Sequence, residues 1–337
     1  MGALFSRSRK FLRLASIPAA LLGSAGLALA QSCPTERLAP FGLAPDSHCN
    51  GNGCLVSFKN YEWWTAFTFN RSEGFYNGGL GTIFAPEHVT VNGDGSMMLK
   101  MAKDWNNNRE WAGAEAVLMF KGTGTQTPAN LGYGDYLVAA SFTSPPQADW
   151  SSLDPNVAFG LFTFERPATG TSYNPAREID LAEISRWGWN HVGTCPFRGT
   201  QNQFQRSILC TGNAQFALQD FTRKAGMVQR YSIPAGPKDI TLVMKWRAEQ
   251  VTFLEYNQGG LTLATLPGTP DNQWTTPNSG STDLSNFVPN QAGCQRFHIN
   301  LWLGNYEGKA PYAPHDGPTN NADVSVVVKD FEFNPAQ

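Results

Sequence analysis

Charge is scarce in this chain. Asp, Glu, Lys and Arg make up 15% of its 337 residues, against about 25% in an average soluble domain. Aromatic residues are not scarce, at 12%, so the charge-rich, aromatic-poor signature of disorder is absent. Positive charge is short too: 25 Lys and Arg face 27 Asp and Glu, a formal net charge of -2. That removes the basic footprint of a nucleic-acid binder. Coiled-coil composition and long amphipathic helical periodicity are missing. There are only five histidines, and no Cys-x-x-Cys pair occurs, so zinc-ligand spacing is absent. Apart from one run near the N-terminus, no stretch approaches the roughly 20 apolar residues of a membrane span.

That one run has its own logic. Arg7, Arg9, Lys10 and Arg13 precede an apolar stretch over residues 14–29, which ends in Ala28-Leu29-Ala30. A basic start, a short apolar centre and a small-x-small end read as a secretory signal peptide, cut after Ala30. Pro18, Gly23 and Gly26 interrupt the run, which is too short for an anchor. Removing the segment takes four basic residues and no acidic ones. The remaining 307 residues then carry 21 basic against 27 acidic groups, a net charge of -6. Polyanions are poor partners for such a chain. The expectation is a secreted protein, periplasmic or extracellular, that does not span the membrane.

All six cysteines lie beyond Ala30. An even number in an exported chain favours disulfides. Cys195 and Cys210 bracket one polar insertion and are the first expected pair, followed by Cys33–Cys49 and Cys54–Cys294. Residues 31–54 read as an irregular, disulfide-stapled segment, and 55–337 as one all-β domain. Within it, Val89-Thr90-Val91 and residues 97–101 flank Asn92-Gly93-Asp94-Gly95, a hairpin signal. Further strand-like runs cover 114–120, 134–142, 157–164, 178–184, 214–218, 239–246, 251–256, 296–303 and 324–333. So many short strands predict a two-sheet antiparallel β-sandwich or a barrel. Residues 264–290 read as a polar loop.

One strand carries the chemistry: Glu178-Ile179-Asp180-Leu181-Ala182-Glu183-Ile184. Alternation places Glu178 and Asp180 on one face. Glu183, five positions after Glu178, is out of phase. One extra residue at Leu181-Ala182 would restore it, and such a β-bulge re-aims a side chain beside many active sites. Two carboxyl groups about 5–5.5 Å apart suit retaining glycoside hydrolysis, and crowded carboxyls cannot all ionise, so one stays a proton donor. Spacing alone is a weak signal, because a solvated strand face could show it.

The surroundings add to it. Arg177 to Ile184 resembles the active-site signature of glycoside hydrolase family 16 in its bulged Glu-x-Asp-x-x-Glu form. Trp111-Ala112-Gly113-Ala114-Glu115, Leu131-Gly132-Tyr133-Gly134-Asp135-Tyr136, residues 153–162, Ser185-Arg186-Trp187-Gly188 and Asn300-Leu301-Trp302 are similar to that family's landmarks, in the same order. The likeness spans about residues 60–335. It implies a concanavalin-like jelly roll with Glu178 as nucleophile, Asp180 as assisting acid and Glu183 as acid/base. It also implies a β-1,3- or β-1,3/1,4-glucan substrate and no required cofactor. Parts of the family hold a structural calcium, for which no dedicated loop is evident here. Members sharing the Ser-Arg-Trp-Gly continuation have a shorter Glu-Ile-Asp-x-Glu form, so Ala182 is an addition. The insertion over 188–212 is a second departure.

Alternation also nominates a binding surface. Phe297, Ile299 and Leu301 fit a core, leaving His298, Asn300 and Trp302 toward a cleft. Gln215, Ala217 and Gln219 share a face opposite Phe216 and Leu218. Trp187 offers a stacking platform for a pyranose. The expected substrate-binding residues are therefore Trp187, Gln215, His298, Asn300 and Trp302. Trp63, Trp64, Trp105 and Trp111 are candidate groove aromatics, and Trp246 a core residue. Asn70-Arg71-Ser72 fits a glycosylation acceptor. The leading expectation is a monomeric, secreted, retaining endo-β-glycan hydrolase. A transglycosylase, a lectin-like binder on the same fold and an envelope structural protein are the alternatives.

Overall fold

In the computed structural model of the protein, residues 49–50, 53–66, 83–103, 111–122, 127–129, 131–144, 149–165, 177–185, 212–220, 225–276, 288–291, 293–303 and 317–336 are described. The chain divides into Met1–Gln31 and Ser32–Gln337, and every described residue belongs to the second unit. The expected signal peptide, the Cys195–Cys210 insertion, Trp105, Trp187 and the Asn70 acceptor lie outside the described residues.

Eighteen strands are described. They are β1 (Cys49–Asn50), β2 (Gly53–Phe58), β3 (Tyr61–Ala66), β4 (Ile83–Phe84), β5 (Val89–Val91), β6 (Met97–Lys103), β7 (Trp111–Lys121), β8 (Thr127–Pro128) and β9 (Gly134–Phe142). Then come β10 (Val157–Phe164), β11 (Arg177–Ile184), β12 (Ala214–Asp220), β13 (Ala225–Tyr231), β14 (Asp239–Trp246), β15 (Val251–Tyr256), β16 (Asn272–Thr275), β17 (Arg296–Leu303) and β18 (Val324–Pro335). Pairings build one sheet in the order β1-β2-β3-β7-β17-β10-β11-β12-β13. A second runs β5-β6-β18-β9-β14-β15-β16. Apart from the two-residue β4–β7 contact, the pairings are antiparallel. This is the expected sandwich.

Period-2 patterning explains the core. In β14 the residues Ile240, Leu242, Met244 and Trp246 point inward, and in β17 Phe297, Ile299 and Leu301 do so. Aromatic pairs cross between the sheets. Phe216 stacks on Phe253 at 5.2 Å, Tyr136 on Phe297 at 5.7 Å, and Trp63 meets Phe331 edge-on at 5.1 Å. Such pairs add to the stabilisation from apolar burial. The β5–β6 hairpin forms where expected, with Gly95 at φ 78° and Asp94 holding the Ser96 amide.

Several expectations need correction. Trp63 and Trp111 belong to the core rather than to a groove. For Trp63 the reason is the unforeseen β2–β3 hairpin, turned by Lys59 and Asn60, both at positive φ. That geometry suits a two-residue turn, but Lys-Asn lacks the usual glycine signal. Its register sends Trp63 inward and Trp64 to the opposite face. The segment expected to be irregular contributes β1 and the start of β2, so the sheet begins before residue 55. The expected polar loop contains β16, and Leu263 and Leu266 pack on the outer face of the second sheet.

The sheet order also overturns Cys54–Cys294 as a bridge. Cys54 is on β2, Cys294 lies just before β17, and β3 and β7 stand between them. Three strand spacings are about 14 Å, beyond the roughly 7 Å that a disulfide's Cα atoms tolerate. Both cysteines are disulfide-bonded, and Cys49 is the register neighbour of Cys54. Among the described residues no helix is long and apolar enough to cross a membrane.

Trp63 has no exposed surface, and it contacts Phe58 and Phe331. Trp63→Ala is expected to lower the unfolding free energy by about 3–5 kcal/mol, measurable as the shift of a denaturant midpoint.

Candidate active site

β11 has apolar demands that regular alternation cannot meet. Ile179, Leu181, Ala182 and Ile184 are all fully buried in the core. Two consecutive inward residues require an extra residue, and both neighbouring ladders record it. Asp180 and Glu183 pair with Ala217 and Gln215 on β12, three steps against two. On β10, Asp180 and Ala182 pair with Phe162 and Leu161, two steps against one. The bulge at Leu181-Ala182 therefore turns Glu178, Asp180 and Glu183 to the same face, away from the core.

The register arranges that face in rows across the strands. One row runs Arg230, Gln215, Glu183, Gly160, Asn300, Glu115. The next runs Val228, Ala217, Asp180, Phe162, His298, Val117. Glu178 starts the third, beside Gln219 and Phe164.

Hydrogen bonds tie the carboxyls to two glutamines of β12. Gln219 Nε2 donates to Asp180 Oδ2 at 2.6 Å and to Glu178 Oε1 at 3.3 Å. Gln215 Nε2 donates to Glu183 Oε2, and Arg230 donates to Gln215 Oε1 at 2.9 Å. Burial raises the pKa of all three acids. Asp180 is pushed up to about 6, while Glu178 and Gln219 pull it back. Glu183 is pushed up to about 8, first by burial and then by Asp180, against Gln215 and Arg230. Glu178 goes well above the usual carboxylate range through burial and the neighbouring acids. The cluster thus retains protons at neutral pH, so a carboxylate and a carboxylic acid can face one substrate.

The nominated binding residues separate into groups. Gln215, Asn300 and Trp302 are buried in the floor of the face. Gln215 has both ends of its amide engaged. Asn300 Oδ1 has no hydrogen-bond partner and lies over Gly160, where any Cβ would collide with it. His298 stacks on Phe162 at 4.6 Å, and its Nδ1 sits 3.2 Å from Glu115 Oε1. Among the described residues no group of three or more His, Cys, Asp or Glu side chains could hold a metal ion.

No family model and no curated protein matches the chain. Solved structures do match. The catalytic domain of an endo-1,3-β-glucanase (laminarinase) from Thermotoga petrophila RKU-1 superposes with a TM-score of 0.51 at 11% identity, over 84% of this chain and 94% of that one. The chain shares the fold of that domain. A prokaryotic β-1,3-1,4-glucanase (lichenase) from a mouse hindgut metagenome matches at TM-score 0.47 and 17% identity, over 83% and 96%. The Bacillus licheniformis β-glucanase matches at 0.46 and 16%, over 85% and 99%.

Arg230 and the pairing of Glu115 with His298 escaped the sequence reading. β13 was not foreseen, so nothing in the sequence connected Arg230 to Gln215. Glu115 stood in a family landmark, but only the β7–β17 register sets it beside the acids.

The raised acids carry a stability cost with a definite sign. A carboxyl that titrates near 8 when folded and near 4.5 when unfolded destabilises the fold increasingly as pH rises between those values. Glu183→Gln removes that charge. Its melting temperature is expected to match wild type near pH 4 and exceed it by about 5 °C at pH 8, as followed by differential scanning calorimetry.

Proposed function

We propose that this protein is a secreted, monomeric, retaining endo-β-glycan hydrolase of the family 16 type, acting on β-1,3- or mixed β-1,3/1,4-glucan. The observation that carries the reading is the bulge in β11, which assembles three proton-sharing carboxyls on one open sheet face. Its support is a fold similar to that of an endo-1,3-β-glucanase.

In this reading a Glu178 oxygen bonds to the anomeric carbon as the glycosidic C–O bond breaks. The leaving oxygen takes the proton of Glu183. Attack requires the proton shared by Glu178 and Asp180 to move to Asp180 as Glu178 bonds to carbon. Water then attacks the glycosyl-enzyme, Glu183 accepts its proton, and the bond to Glu178 breaks. Asn300 Oδ1 accepts from a sugar hydroxyl, and Trp302 and His298 line the path of the chain. Glu183 must be protonated and the Glu178–Asp180 pair must have lost one proton. The expected pH profile is therefore a bell with limbs near 6 and 8.

A polysaccharide panel with anomeric NMR tests this directly. Cleavage of a β-glucan with retained configuration is expected, as is a loss of at least 1,000-fold in kcat for Glu178→Gln with oligosaccharide affinity kept. Inverted product would overturn the roles of Glu178 and Glu183. Saturable glycan binding without any new reducing ends or transfer products would make the protein a lectin instead.

A further inference from the structure

Arg230 lies on β13, the outermost described strand beside β12, two side chains away from Glu183, and donates a hydrogen bond to Gln215. We propose that Arg230 is a positioning residue that works through Gln215 to keep the Glu183 proton on Oε1 and to let Glu183 ionise in the second half of the reaction. The inference rests on the assignment of Glu183 as acid/base.

The argument begins with what each group can do. A guanidinium only donates. Bound to Gln215 at 2.9 Å, it can hold only the amide oxygen. The Gln215 amino group is thereby fixed toward Glu183, where it donates to Oε2. An oxygen that already accepts a donated hydrogen is a poor place for a proton, so the proton resides on Oε1, free for the leaving group. If the amide turned over, Gln215 would offer its oxygen instead. The neutral carboxyl would then spend its proton on Gln215, and the ionised carboxyl would lose its donor. Gln215 cannot choose between these states, because its two ends are nearly isosteric. Arg230 makes the choice.

The same pair opposes the other influences on Glu183. The titratable and charged groups described on this face include Asp180 and Glu178 on its own strand, Arg230 on β13, His298 and Arg296 on β17, and Glu115 on β7. Burial and Asp180 favour the neutral acid, while Gln215 and Arg230 favour the carboxylate. Glu115 bears on Glu178 rather than on Glu183. A retaining enzyme needs both states of this residue in each turnover, so a counterweight to burial has a function.

The test uses the full mature protein and a β-glucan that it cleaves. Arg230→Met is expected to reduce kcat/KM about tenfold at pH 7 and to move the alkaline limb of its pH profile up by about one unit. Gln215→Met is expected to shift the limb in the same direction, and the double variant to shift it by clearly less than the sum of the two, because much of the Arg230 effect passes through Gln215. Arg230→Lys, which retains charge and donates without accepting, is expected to recover part of both effects. An unmoved alkaline limb in Arg230→Met, with normal melting behaviour, would overturn the proposal, as would additive shifts in the double variant. Glu183→Gln separates the two layers. If that variant keeps wild-type turnover of polysaccharide, the acid/base assignment itself fails. If it is inactive while Arg230→Met is unshifted, only the positioning role fails.

Discussion

A strand that buries Ile179 and Ile184 on one face cannot, by regular alternation, turn both Glu178 and Glu183 to the other. Five positions separate the two acids, and a period of two does not divide five. The conflict is resolved by placing Leu181 and Ala182 side by side in the core. The small volume of Ala182 suits this, since two large adjacent side chains would crowd the packed interior between the sheets. The arrangement of the acids therefore depends on a packing decision made on the core-facing side of the sheet.

Once the acids share a face, their proximity shapes everything around them. Three carboxyls in one largely desolvated patch repel one another. Gln219 and Gln215 each give an amide hydrogen to the cluster, and Arg230 supplies positive charge one strand further out. Glutamines suit this position because they stabilise a carboxylate without neutralising it. A lysine in the same place would form an ion pair and hold the acid permanently ionised. The neighbouring row runs on from Asp180 into Phe162, His298 and Val117, where the Phe162 and His298 rings stack on each other at 4.6 Å.

The face is rigid where chemistry would occur because its residues lie on interior strands of a nine-stranded sheet. β11 has a partner on each side, and so do β10, β17 and β12. Sites on such strands are held more closely than sites on loops. Gly160 contributes by absence: without a Cβ it lets Asn300 lie flat next to Glu183. The aromatic bridges between sheets, among them Phe216–Phe253 directly beneath β12, lock the floor from below.

Much of this was legible in the amino-acid order. Strand positions with clean alternation, such as Arg296–Leu303, were readable because every second residue is apolar. The inward set Phe297, Ile299 and Leu301 followed from that alone. The phase conflict at Glu183 was readable too, as was the residue that relieves it. What escaped depended on partners. The β2–β3 hairpin lacks a glycine turn, so Trp63 looked like a groove residue when it is core. Arg230 sits in a short, polar strand whose sequence carries no period. Its meaning arises only when β13 lies beside β12 in one register. Side-chain periodicity is a local property, written in the chain. Which strands become neighbours is set by the burial of distant residues against one another, and only the tertiary structure decides it.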